Sequence, residues 1–158
     1  FIYSHIGYNL KVLDVGPAIG VAQLDKLPKF IAARKRNFDS LYKGFSKYEK
    51  FFILPRASKK ADVSWFGFLV TVKDNAPFTK NEIVNHFENN NVATRALFAG
   101  NLTKQPAYEH SRFRIVGSLE NTDKIMESTF FLGVYPGITP EMADYMIKVL
   151  DKFMEAYL

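Results

Sequence analysis

Seven apolar residues, Ile19, Leu24, Leu27, Ile31, Phe38, Leu41 and Phe45, return at steps close to three, four and seven, the period of an α-helix. A chain that carries such a stripe near its start must bury one face of a long helix, and few architectures allow that. Asp14 is suited to cap the helix, which is expected to open at about Val15, with Pro17 tolerable in the first turn where its missing amide would be free anyway. Pro28 interrupts the run, so the sequence predicts a kink there or two nearly continuous helices. Ala18, Gly20 and Ala22 let another element approach closely. The first half is therefore expected to lie against more than its own small domain.

Beyond residue 50 the pattern changes. Phe51-Phe52-Ile53-Leu54-Pro55 is a short apolar piece, followed by a polar loop. Trp65 to Val72 reads as a strand by its aromatic and β-branched content. Thr79 with Glu82 forms a capping box that opens a helix through about Asn89, with Ile83, Val84 and Phe87 facing inwards. A second strand is expected near Val92 to Leu97, and Thr122 is expected to cap a short helix containing Ile125 and Met126. Thr129 to Val134 is the third strand, and Thr139-Pro140-Glu141 opens the final helix with proline at its first position. That helix carries Met142, Tyr145, Met146, Val149, Leu150, Phe153 and Tyr157, a broad apolar face for the core. The order predicts an α/β (α+β) two-layer domain, with a three-stranded, largely antiparallel sheet covered by helices and preceded by the long kinked helix. Residues 1–50 are expected to form an interdomain or dimer-contact segment, and residues 51–158 the small domain.

Composition narrows the function. At 158 residues, 47% hydrophobic and 15% aromatic, the chain can build one real core. No run reaches the roughly 18 apolar residues of a membrane span. There is no secretory signal, so a cytoplasmic location is expected. The start at Phe1 reads as mid-protein, and a piece of a longer polypeptide is expected. With no cysteine, no disulfide and no thiolate metal site can form within it. His5, His86 and His110 lack metal-ligand spacing and read as surface or structural residues. Eleven Lys or Arg lie between Lys26 and Lys60 against Asp39 and Glu49, +9 of a net +5 for the whole chain. They share a segment with the apolar stripe, so they read as a solvated helix face or a surface for an acidic partner, not a nucleic-acid interface. No nucleophile constellation and no carboxylate pair assembles, and no catalytic residue is assigned within the chain.

Two polar clusters remain. In Gly7-Tyr8-Asn9-Leu10-Lys11, Asn9 either caps local backbone or meets a ligand. Between Val92 and Tyr108, Arg95, Asn101, Lys104 and Gln105 punctuate an apolar, small-residue connection. Half-buried polar groups need partners. Arg95 is placed to make an internal salt bridge or to reach a carboxylate, phosphate or hydroxyl pair, while Asn101 and Gln105 either close the loop or meet sugar hydroxyls.

Gly7-Tyr8-Asn9-Leu10, Ala18 to Leu27 and Ala32-Ala33-Arg34-Lys35-Arg36-Asn37 resemble the C-terminal region of the DegT/DnrJ/EryC1/StrS family, the sugar aminotransferase branch of the fold-type-I pyridoxal phosphate enzymes. Ser4 to Lys11, Trp65-Phe66-Gly67-Phe68, Thr94-Arg95 with Leu97 to Thr103, and Gly133-Val134-Tyr135-Pro136-Gly137 resemble its CDP-4-dehydro-6-deoxyglucose 3-dehydrase branch, which serves lipopolysaccharide O-antigen synthesis. The resemblance implies a homodimeric lyase acting on a CDP-sugar. Its cofactors would be pyridoxamine or pyridoxal 5′-phosphate and a [2Fe–2S] centre, both held mainly upstream, with an iron–sulfur flavin reductase as electron donor. It implies that Asn9 reaches the cofactor phosphate of the partner subunit, and that Arg95, Asn101 and Gln105 line the nucleotide-sugar site. The isolated piece is expected to be inactive. A nucleotide-sugar aminotransferase of the same family is one alternative, and a non-catalytic binding or assembly domain is another.

Overall fold

The computed structural model describes residues 2–8 and 13–158. The long stripe forms two helices, α1 (Val15–Leu24) and α2 (Leu27–Ser46), parted at Asp25 and Lys26. Pro28 lies in the first turn of α2, where its missing amide costs no hydrogen bond. The expected Asp14 cap is corrected. Asp14 already has helical backbone angles (φ −56°, ψ −27°) and its side chain makes no capping bond, because a cap needs an extended backbone there.

The sheet has four strands, β1 (Phe52–Ile53), β2 (Gly67–Val72), β3 (Thr94–Ala96) and β4 (Thr129–Gly133), in the order β1-β2-β4-β3. All three pairings are antiparallel. The short apolar piece after residue 50 supplies the added strand, pairing Phe52 with Val72 and Ile53 with Thr71. α3 (Lys80–Asn89) opens on the capping box read from Thr79 and Glu82. α4 (Glu120–Ser128) starts before Thr122, which is a correction: Leu119 takes the cap position, three residues earlier, and the Ser118 hydroxyl just ahead of it accepts from the Glu120 amide at 3.1 Å. α5 (Pro140–Met154) opens on Thr139, whose side chain accepts from the Met142 amide.

Alternation along the strands sends Phe68, Val70 and Val72 of β2, with Phe130, Leu132 and Val134 at β4, to one face. Phe38, Leu41 and Phe45 of α2, Ile83 and Phe87 of α3, and Val149, Leu150 and Phe153 of α5 complete that core. Phe45 is at its centre, with ring centroids 5.5 Å from Phe52 and 5.1 Å from Phe68. Gly44 lets α2 and α5 approach, since a Cβ there would stand 2.6 Å from Ile147 Cγ1. The second half of α2 thus belongs to the small domain's core. α1 does not: none of its ten residues is buried. Among the described residues no helix is long and apolar enough to cross a membrane.

Candidate functional site

β3 leaves α3 through Asn90 and Asn91 and is anchored by its first residue. The Thr94 amide and hydroxyl both donate to Glu88 Oε1, at 2.6 and 2.7 Å. Those two bonds, with help from the nearby Arg95 charge, hold the Glu88 carboxyl below its ordinary range. Arg95 then projects from the face opposite the core, in register with Phe131 of β4. Its guanidinium donates to the Thr94 carbonyl at 2.8 Å and, among the described residues, forms no ion pair. The expected salt-bridge alternative is therefore not what the structure holds. Arg95 faces a cavity of about 610 Å³ whose walls include Phe131, Gly133, Tyr135, Met142 and Tyr145. Glu141 at the start of α5 is the carboxylate on that wall, held low first by its own backbone amide and then by the Thr139 hydroxyl.

After β3 the chain turns sharply through two left-handed residues, Phe98 (φ 49°) and Gly100 (φ 63°). At Gly100 the turn needs glycine twice over: a Cβ would also stand 2.3 Å from Met126 Cγ. Asn101 and Gln105 hold the loop that follows, and both are buried. Asn101 Oδ1 accepts from the Thr103 amide and hydroxyl at 3.0 and 2.7 Å, and its Nδ2 donates to Asp123 at 2.7 Å. Asp123 also pairs with Lys104 at 2.9 Å, and its carboxyl lies below the ordinary aspartate range, chiefly through the Asn101 bond and then through Lys104. Gln105 donates to the Ala99 carbonyl and accepts from the Tyr3 amide, both at 2.9 Å. Of the two roles left open for these amides, loop closure is the one the geometry displays. Asn9 lies outside the described residues.

Sequence reasoning missed an aromatic group beside this loop. Phe66, at the entry to β2, is 67% exposed, and Phe98 is 56% exposed, yet both rings pack against Phe131. Gly67 lets the Phe131 ring close over β2, since a Cβ there would lie 2.7 Å from it. Arg34 of α2 donates to the Trp65 and Phe66 carbonyls at 3.0 and 3.3 Å, and Trp65 stacks on Phe38 with centroids 3.9 Å apart. Three aromatics among Trp65, Phe66, Gly67 and Phe68 exceed what one strand face can bury, and this was the available signal. Nothing in the sequence marks Phe98 as left-handed.

His86 bonds the Val149 carbonyl at 3.0 Å and packs on Phe153, as a structural histidine. Among the described residues no group of three or more His, Asp or Glu is placed to hold a metal ion, and the chain has no cysteine. The iron–sulfur expectation is corrected on that finding: with no cysteine and no such group, the described residues offer that centre no set of ligands.

The model of the DegT/DnrJ/EryC1/StrS aminotransferase family matches residues 1–151. The chain is 43% identical, over 97% of its length, to the lipopolysaccharide biosynthesis protein RfbH of Salmonella typhimurium. It is also 43% identical, over 98% of its length, to the dTDP-4-dehydro-2,6-dideoxy-D-glucose 3-dehydratase of Saccharopolyspora spinosa. It spans only about a third of these relatives, 35% and 33% of their lengths. Among solved structures, the E. coli GDP-4-keto-6-deoxy-D-mannose-3-dehydratase with bound hydrated PLP superposes with a TM-score of 0.79 at 25% identity, over 91% of this chain and 36% of that one.

Proposed function

Because the chain belongs to the DegT/DnrJ/EryC1/StrS family of fold-type-I pyridoxal phosphate enzymes, we propose that it forms the C-terminal part of a nucleotide-sugar 3-dehydratase. The substrate class is a nucleotide-linked 4-keto-6-deoxyhexose, with a CDP-sugar as the first candidate. The likeness to a 3-dehydratase over nearly the whole chain is the observation that carries this reading. In it, residues 1–50 form the interdomain and dimer-contact segment and residues 51–158 the small domain, with the second half of α2 shared into its core. The enzyme is a homodimer.

The cofactor, when bound, supplies a conjugated ring that stabilises the electron pair left by proton loss beside the sugar's C4 position. Asn9 is the one residue of this chain assigned to it, and an amide donor suits a phosphate oxygen. Arg95 binds the diphosphate of the nucleotide sugar. Its bond to the Thr94 carbonyl fixes the plane of the guanidinium, and its remaining donors form the fork that matches two phosphate oxygens. Asn101 and Gln105 serve the same site as positioning residues, holding the loop that carries Phe98. The largely apolar cavity wall beside Arg95 lowers the local polarity and so strengthens that charge-assisted contact.

One relative is a dTDP-4-amino-4,6-dideoxy-D-glucose transaminase of Shigella dysenteriae, 24% identical over 92% of this chain, and it favours amino transfer as the second reading. The full-length enzyme, loaded with pyridoxamine phosphate and given CDP-, GDP- or dTDP-linked 4-keto-6-deoxyhexose, decides between them by mass spectrometry of the sugar. Loss of the C3 oxygen supports the dehydratase. A 4-amino sugar that keeps its C3 hydroxyl supports the aminotransferase, and an unchanged sugar overturns both.

A further inference from the structure

Glu88 and Arg95 belong to different elements, the last turn of α3 and the middle of β3, and they meet around one residue. Thr94 opens β3, an edge strand of the sheet. Its register partner on β4 is Leu132, but its amide does not turn towards β4; it donates to Glu88 Oε1 at 2.6 Å. In an antiparallel pair the amide and carbonyl of one residue point to the same side, so the Thr94 carbonyl also faces the open edge. There it accepts from the Arg95 guanidinium at 2.8 Å. One buried threonine thus presents its two outward backbone groups to a carboxylate and a guanidinium.

The Thr94 hydroxyl adds a second bond to the same Glu88 oxygen, at 2.7 Å, which fixes the side chain as well as the direction of the amide. The turn between α3 and β3 has its own closures. Asn91 is left-handed (φ 58°), the Val92 amide returns to the Phe87 carbonyl at 2.9 Å, and Asn90 Nδ2 donates to the His86 carbonyl at 2.8 Å. All of these lie before Thr94, and β3 is only three residues long, so it has little pairing of its own to hold its first residue. Glu88 supplies that hold. Arg95, for its part, forms no ion pair among the described residues, which leaves the Thr94 carbonyl to direct its guanidinium. Glu88 is near enough for the Arg95 charge to add to the lowering of its carboxyl, without bonding to it.

We infer that Glu88 is a positioning residue for Arg95: it fixes Thr94 at the open edge, and through the Thr94 carbonyl it sets how the guanidinium faces the cavity of about 610 Å³. The acceptor oxygen of Glu88 does this, not its charge. The guanidinium fork is rigid, so it matches two phosphate oxygens only when its plane is held in the right direction. This rests on the reading of Arg95 as a phosphate contact. A Glu88 that served folding alone would leave the binding of the folded protein unchanged.

The test is a double-mutant cycle read by isothermal titration of the full-length, cofactor-loaded enzyme with CDP, and with GDP and dTDP in parallel. Glu88→Ala should weaken binding about tenfold when Arg95 is present and less than about twofold in the Arg95→Ala background, since residues in one hydrogen-bonded network couple. Glu88→Gln keeps an acceptor oxygen at the same reach and should stay within about twofold of the wild type. Glu88→Asp keeps the charge but is one methylene shorter, and it should lose affinity as Glu88→Ala does. Melting curves establish that each variant measured is folded. Equal losses from Glu88→Ala in both backgrounds overturn the inference. A loss in Glu88→Gln with retention in Glu88→Asp also overturns it, because charge would then be the operative property. Unchanged binding in every Glu88 variant, with Arg95→Ala still weakening it, overturns the inference alone. Unchanged binding in Arg95→Ala, or no binding of any nucleotide by the wild type, overturns the reading beneath it as well.

Discussion

Arg95 and Asn101 stand six residues apart in one polar segment, and the fold puts them to opposite uses. Arg95 keeps an exposed guanidinium whose side-chain bond among the described residues is to a neighbouring carbonyl, whereas Asn101 is buried with both ends of its amide engaged. The sequence displayed the polarity of the segment without the division of labour, since that depends on Asp123 arriving from α4 and Tyr3 from the start of the chain. Asn101→Ala should cost about 1–2 kcal/mol in chemical denaturation, as the Thr103 amide and Asp123 lose their partner. The same variant should raise the Asp123 pKa towards the ordinary aspartate value, read by carboxyl NMR titration. In the wild type that carboxyl is depressed, so its contribution to stability is present above the ordinary value near 3.8 and is lost as pH falls through the lower folded value. Acid should therefore loosen this loop in the wild type, and the pH dependence should shrink in Asn101→Ala.

At the scale of elements, signals that act within a few residues were legible. The Thr79–Glu82 box, the Thr139 cap and the break near Pro28 all depend on side chains meeting backbone within one turn. Thr79→Ala should cost about 0.5–2 kcal/mol by denaturation, the usual loss for an N-cap. What was not legible depended on distant partners. β1 is two residues long and exists only because the end of β2 is there to pair with it. β3 ends at Ala96 because Phe98 turns left-handed, and the packing of Gly100 on Met126 sets that turn. Gly100→Ala meets both a steric and a conformational objection. It should destabilise by more than about 1 kcal/mol and broaden the NMR signals of residues 97–105. Phe45→Ala, in contrast, acts on the whole core and should cost about 3–5 kcal/mol.

At the scale of the molecule, the described residues make a complete core and an incomplete site. α1 is apolar almost all round, with Gln23 its one polar side chain, and none of its residues is buried. A helix of that composition is ordinarily covered on several sides. Ala18, Gly20 and Ala22 leave room for a close neighbour on it, and in the proposed enzyme the upstream domain and partner subunit would supply that covering. The same assembly would complete the pocket, of which this chain contributes one wall. Arg95 is the proposed phosphate contact of a nucleotide-sugar site shared with the rest of the enzyme. Calorimetric titration of the full-length, cofactor-loaded protein with CDP-6-deoxyglucose tests it most directly. Arg95→Ala should weaken binding by about 1.5–3 kcal/mol, and Arg95→Lys should recover only part of that loss, because a lysine cannot reproduce the two-pronged contact. Equal affinities in the wild type and Arg95→Ala would contradict the account.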